Sequence, residues 1–125
     1  MEKNIRLGYL LDQYGAFLTD RQRAIVSMHV EEDLSLSEIA EILSREEISG
    51  KLSRQAVYDA LKRAEQQMED METKLSLVAK HQAAGQALQA LEQEIQCAPL
   101  CPEQRAVMLG LVTQLGQVWE DDHGI

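Results

Sequence analysis

Hydrophobic positions along this chain recur three and four residues apart almost from end to end, which is the period of an amphipathic helix and not the alternation of a strand. Leu7, Leu10, Leu11 and Tyr14 set out the first such face, and with Ile5, Tyr9 and Phe17 they predict a helix over residues 2–17 with Gly15 near its end. Thr19-Asp20-Arg21-Gln22 has the form of a capping box, in which the Thr hydroxyl and the Gln amide satisfy exposed amides of a first helical turn. It starts a second helix that carries Ile25, Val26 and Met28 and ends near Val30. Glu31-Glu32-Asp33 marks a loop or a frayed helix end. A second box, Ser35-Leu36-Ser37-Glu38, opens a short helix whose apolar face is Leu36, Ile39, Ala40 and Leu43. Residues 44–52 follow as a connection, with Gly50 as a helix stop or turn.

The longest signal begins at Ser53. Val57, Leu61, Ala64, Met68, Met71, Leu75 and Val78 are spaced alternately four and three apart, a heptad seam in one uninterrupted helix. From Val57 to Val78 such a helix spans about 32 Å at about 1.5 Å per residue, more than three short helices cover. The remainder must be buried by a second chain or by the carboxy-terminal segment. The seam therefore predicts a homodimer through Ala64, Met68, Met71, Leu75 and Val78, with a helix break between Lys80 and Gly85. Ala84, Leu88, Leu91 and Ile95 resume a helical face; Cys97-Ala98-Pro99-Leu100-Cys101-Pro102 forms a connection, because proline lacks a donor and restricts its predecessor. Pro102 suits the first turn of a last helix bearing Met108, Leu111, Val112, Leu115 and Trp119, and residues 120–125 are expected to be an unstructured tail. The expected fold class is all-α: a helix-turn-helix domain over residues 1–64, then a helical extension over 65–125 made of the seam and a helical hairpin, serving dimerisation or protein contact.

Composition agrees with this and adds a constraint. Hydrophobic residues make up 45% of the 125 and aromatics only 4%, enough for a core of Leu, Ile, Val, Ala and Met. Tyr9, Tyr14 and Phe17 are accordingly read as core residues in preference to base-stacking groups. The formal charge is −9, unevenly spread: residues 1–64 hold nine basic and eleven acidic groups, residues 65–125 three and ten. Nucleic-acid affinity depends on neutralising phosphates, so an acidic chain binds only through a locally basic face. No apolar run is long enough to insert in a membrane, and the amino terminus leads into an amphipathic segment; the expected location is the cytoplasm.

A capped helix, a short helix, a turn and a Ser-initiated helix form the sequence pattern of a helix-turn-helix, whose second helix offers its first turns to a groove. Leu18-Thr19-Asp20-Arg21-Gln22-Arg23 and Leu34-Ser35-Leu36-Ser37-Glu38-Ile39-Ala40-Glu41-Ile42-Leu43 resemble the fourth region of bacterial sigma factors, which reads the promoter's upstream element. Together with Ser53-Arg54-Gln55-Ala56-Val57-Tyr58-Asp59-Ala60-Leu61-Lys62-Arg63-Ala64-Glu65 they resemble the YlxM-like family of small bacterial helix-turn-helix proteins. That resemblance covers residues 4–80 and implies an association with the signal recognition particle pathway, whose GTPase and RNA become candidate partners beside DNA. Where the family pattern has a short link between the first helix of the pair and the Ser that opens the second, nine residues, 44–52, stand here.

The candidate nucleic-acid-binding residues are Ser53, Arg54, Gln55, Tyr58, Lys62 and Arg63. Ser53 would cap the helix, Arg54 and Gln55 would reach base edges, Arg pairing with guanine and Gln with adenine, and Lys62 and Arg63 would take backbone phosphate. An Asp59 pair with Lys62 or Arg63 would instead make an ordinary solvated face, and the spacing leaves both readings open. The function expected is that of a regulatory nucleic-acid-binding protein. The alternative is a protein-interaction module that keeps the helix-turn-helix as scaffold and binds the particle's GTPase or another basic protein. His29, and Cys97 with Cys101, lack further ligands at metal-binding spacing, so no metal or cofactor is expected and the cysteines read as reduced thiols. No nucleophile and base pair, phosphate-binding glycine loop or carboxylate dyad points to an enzyme.

Overall fold

The computed structural model describes residues 2–46 and 51–121; the side chains of Glu46 and of residues 119–121 lie outside that description. Among the described residues there are six α-helices and no strand: α1 (Lys3–Tyr14), α2 (Asp20–Val30), α3 (Leu36–Glu46), α4 (Arg54–Leu75), α5 (Leu77–Cys97) and α6 (Pro102–Asp121). The chain divides after Ser76 into two compact units. The division expected between residues 64 and 65 falls inside α4, because this helix continues past residue 64 and completes the first unit's core with Met68.

In the first unit α4 packs against α1, α2 and α3. Leu7, Leu10, Leu11 and Tyr14 from α1 meet Ile25 and Val26 from α2, Ile39, Ala40 and Leu43 from α3, and Val57, Leu61, Ala64 and Met68 from α4, all buried. The two capping boxes form as the sequence requires. Thr19 Oγ1 accepts the Gln22 amide at 3.1 Å and Gln22 Oε1 accepts the Thr19 amide at 3.0 Å; Ser35 and Glu38 exchange the same pair at 3.1 Å each. Between α2 and α3, Asp33 takes a left-handed conformation (φ 56°), which its short polar side chain tolerates, and the Leu34 amide returns to Met28 O at 3.0 Å to close the turn.

Two expectations about the aromatic residues need correcting. Tyr14 is wholly buried, but Tyr9 is 39% and Phe17 64% exposed. Phe17 lies in a single 3-10 turn, Gly15–Phe17, which rotates it out of the α1 face. A third correction concerns the seam. Ser76 is left-handed (φ 57°, ψ 32°), its amide bonds Glu72 O, and α4 ends there. Val78 therefore belongs to α5, and the break expected between Lys80 and Gly85 comes earlier, with Gly85 inside a continuous helix. One polar residue in the left-handed region suffices to terminate a helix without glycine or proline.

The second unit is a pair of helices joined by Ala98–Cys101. Arg105 in α6 ties the connection down, donating from Nε to Ile95 O at 3.3 Å, in the last turn of α5, and from Nη2 to Ala98 O at 2.7 Å, just beyond it. Cys101 Sγ accepts the Gln104 amide at 3.4 Å and so caps α6 just before Pro102. α6 continues to Asp121, past the expected start of the tail at residue 120, and residues 122–125 lie outside the described residues.

Candidate nucleic-acid interface

The connection that leads into α4 is fastened at both ends. Ser44 Oγ, in α3, accepts the Leu52 amide at 2.8 Å and donates to Leu52 O at 3.2 Å. A single hydroxyl thus fixes the last residue before the cap against the preceding helix, whatever path residues 47–50 take; Gly50, expected as a stop, lies outside the described residues. The long link extends α3 to Glu46 and still delivers Ser53 to a defined place.

Ser53 is extended (φ −80°, ψ 160°) and its hydroxyl accepts the Ala56 amide at 3.0 Å. The side chain satisfies one first-turn amide and leaves the others turned outward, where a helix start favours an anion. Arg54 and Gln55 stand exposed in that first turn. Gln55 Nε2 donates to Asp59 Oδ1 at 3.0 Å. Among the described residues no carboxylate pairs with Arg54 or with Arg63. Tyr58 is 41% exposed, and Lys62 Nζ lies 5.5 Å from its ring centre, within cation–π range.

Lys62 and Arg63, expected to act together, leave α4 about 100° apart and reach different surroundings. Lys62 turns toward the start of α1. Its amine lies 3.4 Å from Glu65 Oε2, and Lys3 approaches the same carboxylate at 4.0 Å. Arg63 instead lines a groove of about 380 Å³ between α4 and the start of α2, together with Asp59, Ala56, Thr19, Arg21 and Gln22. The solvated-face reading, in which Asp59 pairs with Lys62 or Arg63, does not describe this arrangement, since Asp59 bonds Gln55. Sequence reasoning missed Arg21 and Lys3 as cations near α4. Capping order is the only signal that brings Arg21 near: as the second residue of a capped helix it must sit at that helix's exposed mouth.

Of the proposed association residues, Ala64 and Met68 are fully buried within the single chain, while Met71 is half-buried and Leu75 46% exposed. α1 grips this stretch of α4 by polar contacts as well. Arg6 makes a two-pronged pair with Glu69 at 2.7 and 2.8 Å, and Tyr14 Oη donates to Glu72 at 2.5 Å. The guanidinium of Arg6 lowers the pKa of Glu69.

Three helices, the second and third opened by capping boxes, feeding a fourth whose first turns project from the core define an all-helical helix-turn-helix protein. The chain belongs to the UPF0122 family, described as "Putative helix-turn-helix protein, YlxM / p13 like", whose model matches residues 1–104. It is 38% identical to a UPF0122 protein of Halalkalibacterium halodurans over 113 residues, 90% of this chain and 97% of that one. A UPF0122 protein of Exiguobacterium sp. is 42% identical over 96 residues, 77% of this chain and 83% of its own. A third, from Caldanaerobacter subterraneus, is 47% identical over 84 residues, 67% of this chain and 66% of its own. No helix among the described residues is long and apolar enough to cross a membrane.

Proposed function

We propose that this protein is a cytoplasmic, dimeric regulator that binds nucleic acid through the first turns of α4. By family resemblance its setting is the signal recognition particle pathway, with duplex DNA or the particle's RNA as target. The observation that carries this reading is the exposed Arg54 at a capped helix start, where no carboxylate among the described residues engages it. In this reading Ser53 and the outward amides meet a phosphate, and Arg54 and Gln55 face base edges. Tyr58 packs under Lys62, which contacts backbone. Arg63 and Arg21 flank a groove that fits a second phosphate strand position.

Fluorescence anisotropy with labelled duplex DNA and with the particle's RNA, at two salt concentrations, tests it. Binding should weaken as salt rises, and Arg54→Ala and Lys62→Ala should each reduce affinity, Lys62→Ala with a smaller salt slope. Absence of binding to either nucleic acid at low salt overturns the reading.

A protein-interaction module is the second reading, favoured by the net charge of −9 and by ten acidic against three basic groups in residues 65–125. Its partner would be the particle's GTPase or another basic protein. Titration of the purified GTPase against the labelled chain distinguishes it, since this contact survives Arg54→Ala.

A further inference from the structure

α6 carries no charged residue from Ala106 to Trp119, and α5 none from Gln82 to Leu91. A helix apolar on more than one side requires more than one neighbour, yet within this unit each helix has only the other. The positions turned toward one another are marked by burial: Leu88 and Ile95 on α5, Leu109, Val112 and Gly116 on α6. At about 100° per residue, the remaining apolar side chains do not scatter around the helices. On α6 they collect along one flank, as Val107 at 63%, Leu111 at 59%, Leu115 at 56% and Val118 at 53% exposure, with Met108 at 39%. On α5 the flank bordering the same side of the pair holds Ala83, Ala87 and Ala90, with Leu91 at 47% exposure, and is bounded at its two ends by the exposed Lys80 and Glu94. The opposite side is polar, with Gln89, Glu92 and Gln93 on α5 and Thr113 and Gln117 on α6. The hairpin is thus one flat layer with an oily face and a wet one.

We propose that the oily face is where a second copy of this chain docks, two hairpins closing into a four-helix bundle. The proposal rests on the homodimer of the reading above and assigns its surface. Two features select a second copy over other occupants. First, the face is complementary to itself: α6 offers branched and long side chains, and α5 offers a low strip of alanines. A two-fold axis running along the helices lays each α6 on the alanines of the other copy's α5, as an isologous contact requires. Second, the interior of the face is uncharged, whereas a basic partner needs carboxylates and a phosphate surface needs cations. Identical faces without charge meet with no repulsion. Half-exposed aliphatic side chains in this number present roughly 200–400 Å² per copy, taking about 60–120 Å² for each when fully exposed. Two copies with their alanines approach the roughly 1,000 Å² of a specific interface.

Light scattering of the full chain at micromolar concentration is expected to give about twice the 14.1 kDa chain mass. Leu111→Glu and Leu115→Glu should each halve that mass while far-UV circular dichroism retains full helicity, because these side chains contribute little to the hairpin's own packing. Thr113→Glu, on the wet face, should leave the dimer intact. A wild-type chain that is monomeric overturns both this proposal and the homodimer. A dimer that persists in Leu111→Glu and dissociates in Met71→Glu overturns this surface alone and moves the contact to α4.

Discussion

Single residues decide how α4 is held, and their chemistry sets how that hold responds to acid. Arg6 and Glu69 face one another across α1 and α4, and the guanidinium lowers the carboxylate's pKa below its ordinary value of 4.5. A carboxylate depressed in the folded state contributes stability that is fully present above its unfolded pKa. That contribution is lost as pH falls through the folded pKa. Glu38 adds the same sign, its pKa lowered by the hydrogen bonds from Ser35. Stability should therefore fall below about pH 4.5, and Arg6→Ala should flatten part of that fall in urea titrations run from pH 6 to pH 3. Both partners are about two-fifths exposed, at 41% and 39%, so the loss from Arg6→Ala at neutral pH should stay under about 1 kcal/mol. The capping boxes at Thr19 and Ser35 were legible in full from sequence, because each needs only residues three apart. The Arg6–Glu69 pair joins residues 63 positions apart, and no local pattern announces it.

At the scale of the element, α4 divides by burial into two parts. Val57, Leu61, Ala64 and Met68 face the chain's own first three helices, while Leu75 is half exposed at the end of the same seam. Met68→Ala should therefore destabilise the first unit by about 2–5 kcal/mol, and Leu75→Ala by well under 1 kcal/mol, measured by chemical denaturation. Equal costs at the two positions would contradict this division. A heptad period states that one face of a helix is apolar and says nothing about which chain covers it. That is why the seam was legible and its occupant was not. The break at Ser76 escaped for a related reason: a left-handed serine carries no signature comparable with glycine or proline.

At the scale of the molecule, the two units differ in self-sufficiency. The first has four helices closed around a common core, including the buried Tyr14. Residues 1–76 should accordingly fold alone, unfold in a single cooperative transition and retain the Arg54-dependent binding proposed above; circular dichroism melting and anisotropy check both. A fragment that is unfolded would show that the first unit depends on the hairpin. The second unit has one layer of two helices with an apolar face still exposed, which is the physical basis for assigning association to it.

The sequence by itself determined the six helical segments in outline, the two capping boxes, the Ser53 start of α4 and the helical hairpin. All are set by interactions within a few residues or by a period along one helix. It also carried the resemblance to the family to which the chain belongs. Tertiary structure alone decided that Ala64 and Met68 serve the chain's own core, that Lys62 and Arg63 part toward different neighbours, and that Ser44 fastens the lengthened link. It also decided that most of the seam is covered within the chain, while α6 carries a row of exposed apolar side chains. The reason is common to all four: periodicity fixes which side of a helix is apolar or charged, whereas the neighbour that meets that side is fixed only when distant segments compete to cover it.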